Sequence, residues 1–225
     1  MSPKASLLES AVIFRFGVVE VTQPVATTWA LIVVLGVASW LGTRRMQSRP
    51  GRWQAMLEAV VELVQAQIRE VVRSDPEPFL PLTGTLFIFI AAANLSALLP
   101  AVKSPTAAIE TPAALALVVF FSVPIYGIRA RGLAPYLKGY IEPNPLMLPL
   151  NLLAELTRTF SLTMRLFGNV MSHELIFGIV VALAGLLVPI PFMALSILVG
   201  IVQAYIFAML ATVFVGAAVS ATEKG

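Results

Sequence analysis

Five stretches of this chain, at 26–43, 79–100, 111–128, 149–187 and 192–219, are apolar over a length that suits a bilayer. A helix crosses about 30 Å of hydrocarbon with about 20 residues. In that medium every backbone N–H and C=O must find its partner inside the segment. These runs therefore predict an all-α polytopic membrane protein with five spans, a single membrane domain over 1–225. Only 12% of the 225 residues are charged and 58% are hydrophobic. A soluble surface carries about 25% charge, so two soluble domains of ordinary size are excluded. Without Cys, and with one His, the chain offers no disulfide framework, thiol chemistry or multi-histidine metal site.

The basic residues set the orientation. Arg44, Arg45, Arg49 and Arg52 follow the first span, Arg129, Arg131 and Lys138 follow the third, and Lys224 follows the fifth. Opposite them stand Lys4, Arg15 and Lys103. Short loops rich in Lys and Arg stay in the cytoplasm. The N-terminus is thus expected outside and the C-terminus in the cytoplasm. The same distribution sets aside the nucleic-acid reading that a net charge of +3 invites. Glu9, Arg15 and Glu20 interrupt any signal-peptide core, so 1–25 reads as an extracytoplasmic N-terminal segment. Pro124 is expected to break the third span near its end.

Residues 51–73 carry a different pattern. Trp53, Met56, Leu57, Val60, Val61, Val64, Ile68, Val71 and Val72 recur at helical spacing, away from Glu58, Glu62, Arg69, Glu70 and Arg73. This predicts an amphipathic helix at the cytoplasmic interface, held by apolar burial because its charges nearly cancel. It serves either as a membrane-surface spacer or as a dock for another subunit.

The fourth span holds groups that do not belong in hydrocarbon: Glu155, Arg158, Arg165, Asn169, His173 and Glu174. An Arg at mid-bilayer costs about 2.5–3.5 kcal/mol on insertion scales, so it persists only beside water or an opposite charge. At about 100° per residue, Arg158, Ser161, Arg165, Asn169 and Ser172 fall within about 40° of one line, with Glu174 on the opposite side. Arg158 lies near the cytoplasmic end, where it can snorkel to the interface. Glu155 either pairs with it at i+3 or lines an inner half-channel. In the fifth span Ser196 and Gln203 share a face, and Gly200, Ala204, Ala208 and Ala211 form a ridge of small residues suited to close helix packing. As one helix, 149–187 would be about 58 Å long, nearly twice the hydrocarbon thickness, which predicts a strongly tilted hairpin of the last two spans. Such a hairpin brings Arg165 and Gln203 to similar depth. Asn94, in the second span, is expected to cap or bond locally.

The run Ser161-Leu162-Thr163-Met164-Arg165-Leu166-Phe167-Gly168-Asn169, then His173-Glu174-Leu175-Ile176, resembles the signature of subunit a of F-type rotary ATP synthases. Gln203-Ala204-Tyr205-Ile206-Phe207 extends the similarity, and Asn94-Leu95-Ser96-Ala97-Leu98-Leu99-Pro100 echoes it. The resemblance implies a stator subunit of the membrane sector in a bacterial plasma (inner) membrane. Its partners would be a ring of c subunits, peripheral-stalk b subunits and the rest of the synthase. It would hold no bound cofactor, its cargo being H+ or Na+. Arg165 matches the arginine that exchanges with ring carboxylates, with Asn169 and Gln203 as its polar neighbours. His173 and Glu174 match the lining of the outer half-channel; Glu155, Arg158, Ser172 and Ser196 are further candidates for channel lining. Ser196 stands where many bacterial members carry a His, which implies a rearranged relay.

Physical chemistry agrees with that role for Arg165. A guanidinium stays charged, so it can draw an ion off a carboxylate and pair with the acid in passing. A charge pair at 4 Å is worth about 4 kcal/mol at an effective dielectric of 20. The membrane potential supplies only about 2.3 kcal/mol per charge per 100 mV. A dry pair would trap a rotor, so a hydrated, loosely held one is expected. No G-x-x-x-x-G-K-[ST] loop is present, so ATP chemistry belongs to other chains. His-Glu-Leu-Ile-Phe is not a zinc H-E-x-x-H motif, since Phe177 holds the second His position. The alternative is a secondary transporter binding an anionic substrate at Arg165, against which stands the lack of an inverted repeat. An intramembrane hydrolase fares worse, for want of a nucleophile–base pair.

Overall fold

A computed structural model describes residues 12–16, 19–44, 52–72, 75–97, 104–141, 144, 146–184 and 189–220. Lys4, Glu9, Arg45, Arg49, Arg73, Lys103 and Lys224 lie outside the described residues, as do positions 98–100 of the second apolar run and 185–188 between the last two. In chain order the elements are β1 Val12–Phe16, β2 Val19–Thr22, α1 Gln23–Thr43, α2 Arg52–Val72, α3 Leu80–Ser96, a 3-10 turn Pro105–Ala107, α4 Glu110–Arg131, α5 Leu133–Ile141, α6 Met147–Ala184 and α7 Pro189–Ser220. The architecture is that of a multi-pass helical membrane protein. Helices α1, α4, α6 and α7 are long and apolar enough to cross a membrane, and α3 is an apolar helix of 17 residues. With 38 residues α6 is about 57 Å long. It must therefore lie oblique to a bilayer or project from one.

Three local features depart from the pattern in the sequence. The lead-in contains a small antiparallel hairpin, with Arg15 opposite Glu20, that runs straight into α1. Pro124 does not end its helix: α4 continues to Arg131, where Gly132, at φ 84°, returns its N–H to the Ile128 carbonyl at 2.8 Å. A proline deletes a single ladder bond, and a helix flanked by others on several sides absorbs that loss. Beyond Gly132 the chain forms α5, where composition alone suggests a loop.

The core lies where α3, α4, α6 and α7 meet. Leu86 and Ile90 of α3, Ala116 and Val119 of α4, Leu162 and Leu166 of α6, and Ala204, Phe207 and Ala211 of α7 form one buried cluster. The small-residue ridge of α7 is thus spent on packing within the chain, for a Cβ at Gly200 would stand 3.0 Å from the Asn94 Cβ. Thr212 donates to the Ala208 carbonyl at 2.9 Å, which leaves its oxygen to accept from Thr83 at 2.6 Å, both hydroxyls being buried. The amphipathic helix forms as the spacing predicts, but its apolar face is divided. Val64 and Ile68 are buried against Phe79, Val123 and Val215, whereas Leu57, Val60, Val61 and Val71 remain exposed. The hydroxyl of Tyr205 on α7 donates to the Gln67 side chain, which fixes this helix against the hairpin.

Candidate functional site

Helix α6 turns Leu162, Thr163, Leu166 and Val170 into its own bundle, and this choice of face determines where the polar groups go. Roughly 100° around the helix from that face, Arg158, Ser161, Arg165 and Ser172 are exposed, and Asn169 is half-buried. Among the described residues nothing pairs with or hydrogen-bonds to Arg165. A guanidinium exposed in the apolar part of a span, without a partner among the described residues, is costly there. Ser172 bends back to the Gly168 carbonyl at 2.6 Å.

The register of α6 against α7 follows from two contacts. Ser196 Oγ lies 3.4 Å from His173 Nδ1, and farther along the pair Arg158 sits over the Phe214 ring at 5.3 Å. Between them Gln203 comes level with residues 166–169, within about one turn of Arg165. Gln203 is only 6% exposed and its Nε2 has no hydrogen-bond partner among the described residues. A buried amide left so is costly unless another group arrives.

Two cavities open on the hairpin, one on either side of Arg165 along α6. The cavity nearer the α6–α7 turn measures about 100 Å³ and is lined by Asn94, Asn169, His173, Glu174, Ser196 and Gly200, among others. Ser196 gives its proton to the Phe192 carbonyl at 2.9 Å, so toward His173 its oxygen acts as acceptor. With the Ser196 proton so committed, Nδ1 of His173 is the donor across this contact. The cavity at the other end measures about 400 Å³, with Arg131, Tyr136, Tyr140, Asn151, Glu155 and Arg158 in its walls. Both have polar side chains in their walls and are roomy enough for water, which needs about 10–15 Å³ per molecule. Glu174 and Glu155 are nine and ten residues from Arg165, about 14–15 Å along the helix axis.

The candidate residues thus fall into three groups. Asn169, His173, Glu174 and Ser196 share one cavity, Glu155 and Arg158 share the other, and Arg165 stands between them with Gln203 level with it and Ser172 a further two turns on. Two expectations need correction. Glu155 does not take Arg158 as its partner; it accepts the Tyr140 hydroxyl at 2.8 Å, while the Arg158 guanidinium lies on Phe214. Asn94 does not bond locally: it donates to the Gly200 carbonyl at 2.9 Å and accepts from Thr106 at 2.9 Å, clasping α3, α7 and the 3-10 turn beside the smaller cavity. An amide alone in an apolar run was the available signal for Asn94. Tyr140 carried only the i, i+4 repeat with Tyr136.

Fold and site together define a polytopic α-helical membrane protein with a polar seam between two long helices, a construction suited to moving ions rather than to bond chemistry. The family model described as ATP synthase A chain matches residues 25–216, and the chain belongs to this family. It is 58% identical over 222 residues to ATP synthase subunit a 2 of Bradyrhizobium sp. (strain BTAi1), covering 99% of this chain and all of that protein. It is 46% identical to ATP synthase subunit a 2 of Pelobacter propionicus, over 94% of this chain and 92% of the relative, and 45% identical to ATP synthase subunit a 1 of Chlorobaculum parvum, over 96% of each. Membership makes the chain a non-catalytic subunit of the membrane sector of an ATP synthase, with other synthase subunits as its partners.

Proposed function

We propose that this chain is the part of the stator that conducts H+ or Na+ past a ring of c subunits, with Arg165 exchanging partners among the ring carboxylates. The observation that carries this reading is the exposed guanidinium, unpaired among the described residues, between two cavities that carry titratable side chains at different heights on α6. With the N-terminus outside, as the basic loops favour, the cavity of Asn169, His173, Glu174 and Ser196 is the outer half-channel, and that of Glu155 and Arg158 is the cytoplasmic one. A c subunit arriving with its ion from one side meets Arg165, which favours the ionised carboxylate and so releases the ion. The fixed positive charge also prevents an ion from passing directly between the half-channels without turning the ring. Asn169 and the buried Gln203 amide, whose Nε2 has no partner among the described residues, stand within about one turn of Arg165, where they can steer the guanidinium. Peripheral-stalk b subunits then hold the chain against the torque.

The test is Arg165→Ala in the assembled synthase, assayed as ATP-driven ion uptake into inverted membrane vesicles. Coupled uptake is expected to vanish while the complex still assembles and ATP hydrolysis persists. Coupled uptake at wild-type rate would refute the assignment.

A further inference from the structure

Helix α5 places two tyrosines over the cytoplasmic end of α6, and nothing in the role described above uses them. The Tyr136 ring seats on Gly127 of α4, where a Cβ would meet its Cδ2 at 2.7 Å. From that seat the Tyr136 hydroxyl reaches the Tyr140 hydroxyl at 2.8 Å, and Tyr140 donates to Glu155 Oε2 at 2.8 Å. Since Tyr140 spends its proton on the carboxylate, Tyr136 is the donor in the first bond. Asn151 Nδ2 donates to the Tyr140 carbonyl at 3.2 Å and ties α5 to α6 from the other side. Burial, first of all, raises the pKa of both tyrosines, and for Tyr140 the bonds to Tyr136 and Glu155 push the same way. Both therefore stay neutral, and Tyr140 remains a donor.

Glu155 is held between two spaces. It lines the large cavity, and also a pocket of about 20 Å³ enclosed by α4, α6 and α7, with Val123, Thr159, Leu162 and Phe214 in its walls. That pocket has room for about one water. Oε1 of Glu155 is buried and without a hydrogen-bond partner, so it can take a water or an ion. The charged groups around it are Arg131 from α4 and Arg158 on its own helix; α5 contributes the two tyrosines, and α7 only Phe214, Ala217 and Ala218.

We propose that Tyr140 is a positioning residue for ion passage: by fixing Oε2 it holds Glu155 at the junction between the cytoplasmic cavity and the small pocket inside the bundle, with Oε1 left open to a water or an ion. This rests on the half-channel reading of that cavity. The test uses the assembled synthase in inverted vesicles, whose cytoplasmic face is turned to the medium, with ATP-driven uptake followed against external pH at fixed sodium and against sodium at fixed pH. Losing one donor to the carboxylate is expected to slow uptake roughly three- to tenfold and to change the dependence on the coupled ion. In a Glu155→Gln background Tyr140→Phe should change neither rate nor profile, because both substitutions act through one carboxylate. Tyr136→Phe, which keeps the ring on Gly127, should give a smaller effect of the same kind. Wild-type uptake in Tyr140→Phe would overturn the proposal, and so would a further loss in the Glu155→Gln background. Poor assembly in both tyrosine variants, with normal uptake per assembled complex, would also overturn it by making the contact purely structural. Arg165→Ala separates the two readings: if it is inactive while Tyr140→Phe is normal, only the present inference fails.

Discussion

Gly168 separates what the chain needs for itself from what it needs for a partner. It lies on the side of α6 opposite the buried Leu166 and Val170, one residue from Asn169 and three from Arg165. A Cβ built there meets nothing within 4 Å. Within this chain, then, Gly168→Ala removes a helix-interior glycine without a clash and should stabilise by about 0.8–1.0 kcal/mol. Gly168→Leu should be similarly tolerated by the isolated fold. The assembled complex should respond otherwise. If a ring helix passes close to Gly168, a leucine there holds it off by about 2 Å. At an effective dielectric of 20 that takes a charge pair from 4 to 6 Å, and its attraction from about 4.2 to about 2.8 kcal/mol. A loss of about 1.4 kcal/mol is a tenfold slowing. The assay compares the amount of chain retained in membranes with ATP-driven uptake per assembled complex. Undiminished chain with uptake reduced about tenfold in Gly168→Leu is the expected result. Normal uptake in Gly168→Leu would refute close approach at this face, and loss of the chain itself would refute the open space.

Gly200 should behave in the opposite sense: Gly200→Ala places its methyl 3.0 Å from the Asn94 Cβ and displaces the amide that donates to the Gly200 carbonyl. One hydrogen bond and some overpacking, together about 2–3 kcal/mol, exceed the propensity gained, so thermal stability of the complex should fall, and an unchanged melting point would contradict the clasp. Alkaline titration followed by tyrosinate absorbance reads the α5 pair. Both pKa values are raised on folding, so the stability they contribute is present below about pH 10 and is lost as the pH climbs above it. Tyr140→Phe should remove part of the late-ionising absorbance and lessen the alkaline loss of stability; an unchanged titration would show that Tyr140 is not among the protected hydroxyls.

Much of this was legible because lipid leaves few options. Length and apolarity locate the spans, and Arg165 announces itself because a guanidinium there is so costly. The amphipathic spacing of 51–73 yields its helix without further help. What stayed hidden depends on tertiary partners. Whether Val64 meets lipid or Val215 is not coded in the spacing of α2, since both are apolar surroundings. The reach of Asn94 to Gly200 joins residues 106 positions apart. Helix α5 is short, and Gly132 with Pro135 mark a turn at its start. Its tyrosine pair becomes visible only once Gly127 is seen to leave room for a ring. Pro124 misleads for a related reason: the propensity that breaks an exposed helix is overruled where neighbouring helices surround it.

The spacing of acids about Arg165 carries the last step of the argument. Glu174 and Glu155 lie on either side of it, each about 14–15 Å along the helix. Glu155 has its Oε2 taken by the Tyr140 hydroxyl, and Arg158 lies over the Phe214 ring rather than on the acid. Were either acid at 4 Å, the pair would gain about 4 kcal/mol, more than 100 mV of membrane potential, at about 2.3 kcal/mol per charge, could undo. A resident counter-ion would thus silence the arginine. On the proposed reading, acids that far away cannot hold the guanidinium and would leave it to a carboxylate that arrives and departs. That separation follows from residue numbers on one continuous helix, so an insertion or deletion within α6 on either side of Arg165 would disturb coupling even if every polar residue were kept.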